Sequence, residues 1–166
     1  MRRRNRRSFL LAGSYLIGGV AMLAREAAFG QWPYPAPLTP DSQRNASNQV
    51  RSQINWLQNA TRTAANYGEK GYGNVWERFQ SVRGAYSVFT QTLNPQQLAD
   101  GANALAELNG GLDILQEAFS NFQADVSAGR PVSTALRDMC QVLREGSYIW
   151  LEHFNKTCAQ LRLAWR

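Results

Sequence analysis

Residues 133–164 read STALRDMCQVLREGSYIWLEHFNKTCAQLRLA, and this stretch decides the fold class. Within it Leu136, Cys140, Leu143, Ser147, Trp150, Phe154, Thr157, Leu161 and Ala164 recur at alternating steps of four and three. An α-helix turns once in 3.6 residues, so that spacing stacks small and apolar side chains along one face and predicts a long helix with a buried stripe. Arg130-Pro131 supplies the turn before it, with Ser133 as its cap.

The same spacing recurs upstream. Val75, Phe79, Val82, Tyr86, Phe89 and Leu93 step by four and three, behind Asn74 and Glu77 set as a capping box. Val50, Ile54, Leu57, Thr61 and Ala64 mark another helix, expected from Asp41 or Ser42 to Tyr67 with Gly68 as its stop. A third stripe, Leu98, Ala102, Leu105, Leu112, Leu115, Phe119, Phe122 and Val126, follows Asn94-Pro95-Gln96-Gln97. There Asn caps, Pro takes the first helical position, Gln completes the box, and Gly129 ends the helix. Gly110-Gly111 interrupts this stripe at a cost of about 2 kcal/mol relative to alanine, which predicts a bend or the close approach of a neighbour. No period-two segment argues for strands. The expected fold is all-α: an elongated antiparallel bundle of about four coiled-coil-like helices, the last two about 50 Å long if unbroken.

The N-terminus has a different character. Arg2, Arg3 and Arg4 precede Asn5-Arg6-Arg7-Ser8-Phe9-Leu10, which opens an apolar run to Ala24. Arg6, Arg7, Phe9 and Leu10 fit a bacterial twin-arginine export signal. As a helix the run reaches about 24 Å, short of the roughly 30 Å hydrocarbon core, so it reads as a cleaved signal with an uncleaved anchor as second choice. Ala28-Phe29-Gly30 places the cut between Gly30 and Gln31. The expected organisation is a signal helix at 1–30, a Pro-rich extended tether at 31–40 and one helical domain at 41–166, located in the periplasm or on the cell surface.

Removing the signal changes the charge. The whole chain carries a net +6, whereas residues 31–166 hold twelve basic against eleven acidic side chains. No basic face is expected from that count, which argues against nucleic acid, and membrane contact is confined to the signal segment.

Candidate chemistry is sparse. Cys140 and Cys158 face an oxidising compartment after export, where a disulfide is permitted. An unbroken helix would hold them about 27 Å apart, leaving two small buried hydrophobes as the other reading. His153 beside Glu152 lacks the partners a metal site needs. The glycine run Gly68-Glu69-Lys70-Gly71-Tyr72-Gly73 offers amides to an anion but lacks the rest of a phosphate loop. The glutamates fall on polar faces, and no Ser or Cys stands near a His in a nucleophile pattern, so no enzyme and no cofactor is expected. Aromatics off the stripes remain: Trp32, Tyr34, Trp56, Tyr72, Trp76, Tyr148 and Trp165, which as exposed anchors would serve a protein partner.

Leu57-Gln58-Asn59-Ala60, Asn66-Tyr67-Gly68 and Val75-Trp76-Glu77-Arg78-Phe79, followed by a Gln- and Ala-rich helix, resemble the minor pilus subunits of conjugative type IV secretion systems. The resemblance covers about residues 45 to 130. It implies an exported, non-enzymatic envelope protein that works by contact with secretion-system or other envelope proteins, with oligomers permitted. The alternative expectation is a periplasmic bundle holding a small molecule or cofactor near Gly110, Gly111, Cys140, Leu143 and Trp150.

Overall fold

The computed structural model describes residues 40–161, which lie within the compact unit Leu38–Arg166. The signal residues Arg6, Arg7, Phe9 and Leu10, the cleavage pair Gly30 and Gln31, the tether with Trp32 and Tyr34, and Trp165 all lie outside the described residues.

The fold is all-α. Its described helices are α1 (Pro40–Thr63), α2 (Glu69–Gln91), α3 (Pro95–Asp100), α4 (Ala102–Ser127) and α5 (Val132–Gln160), with a single tight turn at Ala64–Asn66 between α1 and α2. Contacts between the helices give the topology, among them Arg78 over Trp56, Tyr86 on the Leu105 carbonyl, Leu115 over Gly146 and Arg62 on Tyr148. Gln43 at the start of α1 donates to the Thr92 carbonyl beyond the end of α2. Tyr72 in the first turn of α2 stacks on Phe122 near the end of α4. Trp150 and Leu108 join α5 to α4, and Arg51 reaches Asn155 from α1 to α5. Each long helix therefore runs antiparallel to its neighbours, in the up-down order that short connections favour. Among the described residues no helix is long and apolar enough to cross a membrane.

The four periodic stripes are the core. Val50, Ile54, Leu57, Val75, Phe79, Val82, Phe89, Leu136, Leu143, Ser147 and Phe154 are all fully buried. Each large apolar side chain so placed contributes about 1.5–3 kcal/mol over an exposed one. Buried hydroxyls answer to their own helices: Ser47 donates to the Arg44 carbonyl, Thr61 to Gln58, Ser147 to Arg144 and Thr157 to His153. They add no unpaired polar atom to the seams.

Local capping fails in two places and holds in one. Asn94 accepts from the Gln97 amide while the Gln97 side chain accepts from the Asn94 amide, so the expected box caps α3. Asn74 and Glu77, by contrast, lie inside α2. That helix begins at Glu69, because Gly68 adopts φ +55° and turns the chain directly into it. Gly71 is then buried against the turn that follows α1, where a Cβ would collide with the Ala64 carbonyl. Ser133 is likewise inside α5 and makes no cap.

The third stripe also breaks earlier than its spacing predicts. Gly101 separates α3 from α4 at φ −98°, ψ 3°, and a Cβ there would sit 2.7 Å from a methyl of Leu161. Leu98 and Ala102 consequently fall on the exposed surface. Gly129, at φ +88°, ends the segment as expected.

Gly110 and Gly111 lie within continuous α4, and they differ. A Cβ on Gly110 meets nothing, whereas one on Gly111 would lie 2.8 Å from Trp150 Cδ1. In return, Gly146 on α5 receives Leu115 of α4, whose Cδ2 would be 2.6 Å from an added Cβ. The helices interlock, a large side chain of each seated over a glycine of the other. Gly111→Ala should therefore lower unfolding stability by about 1–3 kcal/mol through overpacking. Gly110→Ala should raise it by about 0.5–1 kcal/mol, and urea denaturation followed by helical circular dichroism measures both.

Candidate functional site

Trp56 lies one step off the buried stripe of α1, and Asn59, Ala60 and Thr63 follow it along the same edge at helical spacing. Ala60 is small enough to let α2 approach, which brings Asn74 and Arg78, four residues apart, to face them. These six residues line an open recess of about 460 Å³. The Arg78 guanidinium lies over the Trp56 ring, 5.2 Å from its centroid. Trp56 remains 49% exposed, so the stacked pair contributes about 0.5–1 kcal/mol and leaves much of the indole open to solvent.

In this recess two amides, a hydroxyl, a guanidinium and an aromatic ring can donate, accept and stack. Its lining includes no carboxylate, thiol or imidazole to move a proton.

The other aromatic candidates divide. Tyr72 stacks on Phe122 at 4.7 Å and meets Phe119 edge-on at 6.0 Å, and Gln123 donates to its hydroxyl. Trp76 packs edge-on to Phe119 at 4.9 Å. Both are partly buried extensions of the core. Tyr148 is 47% exposed and accepts a hydrogen bond from Arg62 at 3.0 Å. Sequence reasoning singles out Trp56 and passes over Arg78, Asn59, Thr63 and Asn74. The signal available was the run of positions 56, 59, 60 and 63 along one helix edge, while nothing in the chain pairs that edge with Asn74 and Arg78.

No disulfide joins Cys140 to Cys158. Cys140 and Cys158 are free, buried thiols on one unbroken helix, eighteen residues and about 27 Å apart, far beyond the roughly 7 Å a disulfide spans. Burial pushes the Cys140 thiol up to about 11 and the Cys158 thiol up to about 12. His153 is exposed, and its neighbour Glu152 pairs with Lys156 at 2.7 Å, which holds that carboxyl below its ordinary range. Among the described residues no three His, Cys, Asp or Glu side chains are grouped to hold a metal ion. Around Gly111 and Trp150 the space between α4 and α5 is occupied by the indole, whose N–H donates to the Leu108 carbonyl at 2.8 Å.

Compared with protein-family models, characterised proteins and solved structures, the chain gives no match.

The raised thiols make a pH prediction. Native Cys140 and Cys158 stay protonated where unfolded thiols, ionising near 9.0, release their protons. The unfolded state then binds fewer protons, so their contribution is complete below pH 9 and is lost as pH rises toward 11 and 12. The denaturation midpoint should fall across that window, and Cys140→Ala/Cys158→Ala should flatten the slope. Thiol labelling should be negligible in the folded protein and complete in denaturant.

Proposed function

We propose that this protein is exported through the twin-arginine route and acts in the cell envelope by protein–protein contact, without catalysing a reaction. Its closest expected role is an assembly or minor pilus component of a conjugative secretion system. The observation that carries the contact reading is the half-exposed Trp56 beneath Arg78, at the edge of an open recess rimmed by Asn59, Thr63 and Asn74. Aromatic rings and guanidinium groups dominate the energetics of protein interfaces, and here they stand together with polar groups ready to satisfy a partner's backbone. The export motif and the resemblance over residues 45 to 130 support the compartment and the class of partner.

Two measurements test this reading separately. Replacing Arg6 and Arg7 by lysine should abolish export of a reporter fused behind the N-terminal segment, and continued export would remove the envelope from the proposal. Trp56→Ala, which touches no core stripe, should leave the helical spectrum unchanged. It should weaken binding to a purified secretion-channel or pilus component by about thirtyfold, the equivalent of about 2 kcal/mol for a central aromatic anchor. Undiminished binding would place the contact elsewhere.

A further inference from the structure

Counted by helix, the near-neutral balance of residues 31–166 conceals a separation. α4 carries Glu107, Asp113, Glu117 and Asp125 with no lysine or arginine, whereas α1 carries Arg44, Arg51 and Arg62 against Asp41 alone. α5 is mixed but sorts its charges by edge. Tyr148 accepts from Arg62, and Asn155 accepts from Arg51 at 2.8 Å, so those two residues mark the edge of α5 that lies against α1. Arg137 and Arg144 precede them at steps of seven and four, on the same edge. Arg44, Arg51 and Arg62, at steps of seven and eleven, share the facing edge of α1. Arg44, Arg51 and Arg62 line the seam between α1 and α5, and Arg144 and Arg137 continue the row along the same edge of α5 past the end of α1, a line of five arginines.

Both charge sets hold unmet members. Arg44 pairs with Asp41, and Asp125 with Arg130. Among the described residues, Arg62, Arg137 and Arg144 have no carboxylate partner, and Glu107, Asp113 and Glu117 have no cationic one. The three carboxylates are exposed on the turns of α4 that carry Ile114, itself 63% exposed.

The spacings agree. Along α4, Asp113 and Glu117 lie about 9 and 15 Å beyond Glu107. Along the seam, Arg144 lies about 10 Å beyond Arg137, and Arg62, held at Tyr148, about 16 Å beyond it. We propose that the acidic ridge of α4 in one copy docks along the α1/α5 arginine seam of a second copy. Ile114 is covered at that contact. Because the two surfaces differ, each docked copy leaves one of each free, and the association extends head to tail or closes as a ring. This assembly stands on charge placement and does not depend on the export reading or on the Trp56 recess.

A polyanion would also recognise five arginines, but the chain carries a complementary ridge of matched spacing. The test uses sedimentation of the full chain. Wild type should form dimers and longer species at about 20 mM salt and dissociate at about 0.5 M, where screening collapses to a few ångströms. Glu107→Lys/Asp113→Lys/Glu117→Lys and Arg62→Glu/Arg137→Glu/Arg144→Glu, each checked for an unchanged helical spectrum, should each be monomeric alone. Mixed one to one, they should reassemble, since each supplies the charge that the other has reversed. Wild type that is monomeric at low salt overturns the proposal, as does assembly that persists in either variant. Monomeric wild type that retards a nucleic acid, or sediments with anionic lipid vesicles, assigns the seam to a polyanion instead.

Discussion

The interlock between α4 and α5 is the constraint on which the rest of the bundle depends. Trp150 occupies the place that a side chain at position 111 would take, and from there its indole N–H reaches the Leu108 carbonyl. The same ring stacks on Phe154 at 5.4 Å and meets Tyr86 of α2 edge-on at 5.5 Å. Tyr86 then donates to the Leu105 carbonyl, and burial pushes its phenol up to about 12. One side chain thus ties three helices together, and the Trp150 indole and the Tyr86 phenol each meet a backbone acceptor. An unmatched donor at this depth would cost about 1–3 kcal/mol. Reciprocal seating of Leu115 on Gly146 fixes the axial register, because sliding either helix would drive both large groups into backbone.

That register places the surface features. Once α5 is locked to α4, its opposite edge meets α1, and Arg62 and Arg51 find Tyr148 and Asn155. The arginine seam and the acidic ridge on α4 are therefore consequences of core packing, although neither contains a core residue. The Trp56 recess arises differently. It follows from the close approach of α1 and α2, permitted by Ala60 and by Gly71 against the Ala64 backbone.

How much of this was legible in the chain depends on the range of the interaction concerned. The stripes of α1, α2 and α5 were read almost residue by residue, since alternating steps of four and three are a local record of one buried face. The Asn94–Gln97 box was legible for the same reason. Asn74–Glu77 had the same lettering and failed, because the positive φ of Gly68 started α2 first and the Gly71–Ala64 contact held its opening turn in place. Gly110-Gly111 announced that something unusual happened there. Which glycine was open and which was filled by an indole could not be seen without α5 beside it.

The sequence by itself determined the all-α class, the buried face of each long helix and the spacing that keeps Cys140 and Cys158 apart, because helical periodicity is set within a few residues of chain. Tertiary structure alone decided which charged edges adjoin, the pairing of Arg78 with Trp56 and the break at Gly101. Those depend on which helix edges become neighbours and at what register, and that choice is made by the fit of large side chains over glycines distant in sequence.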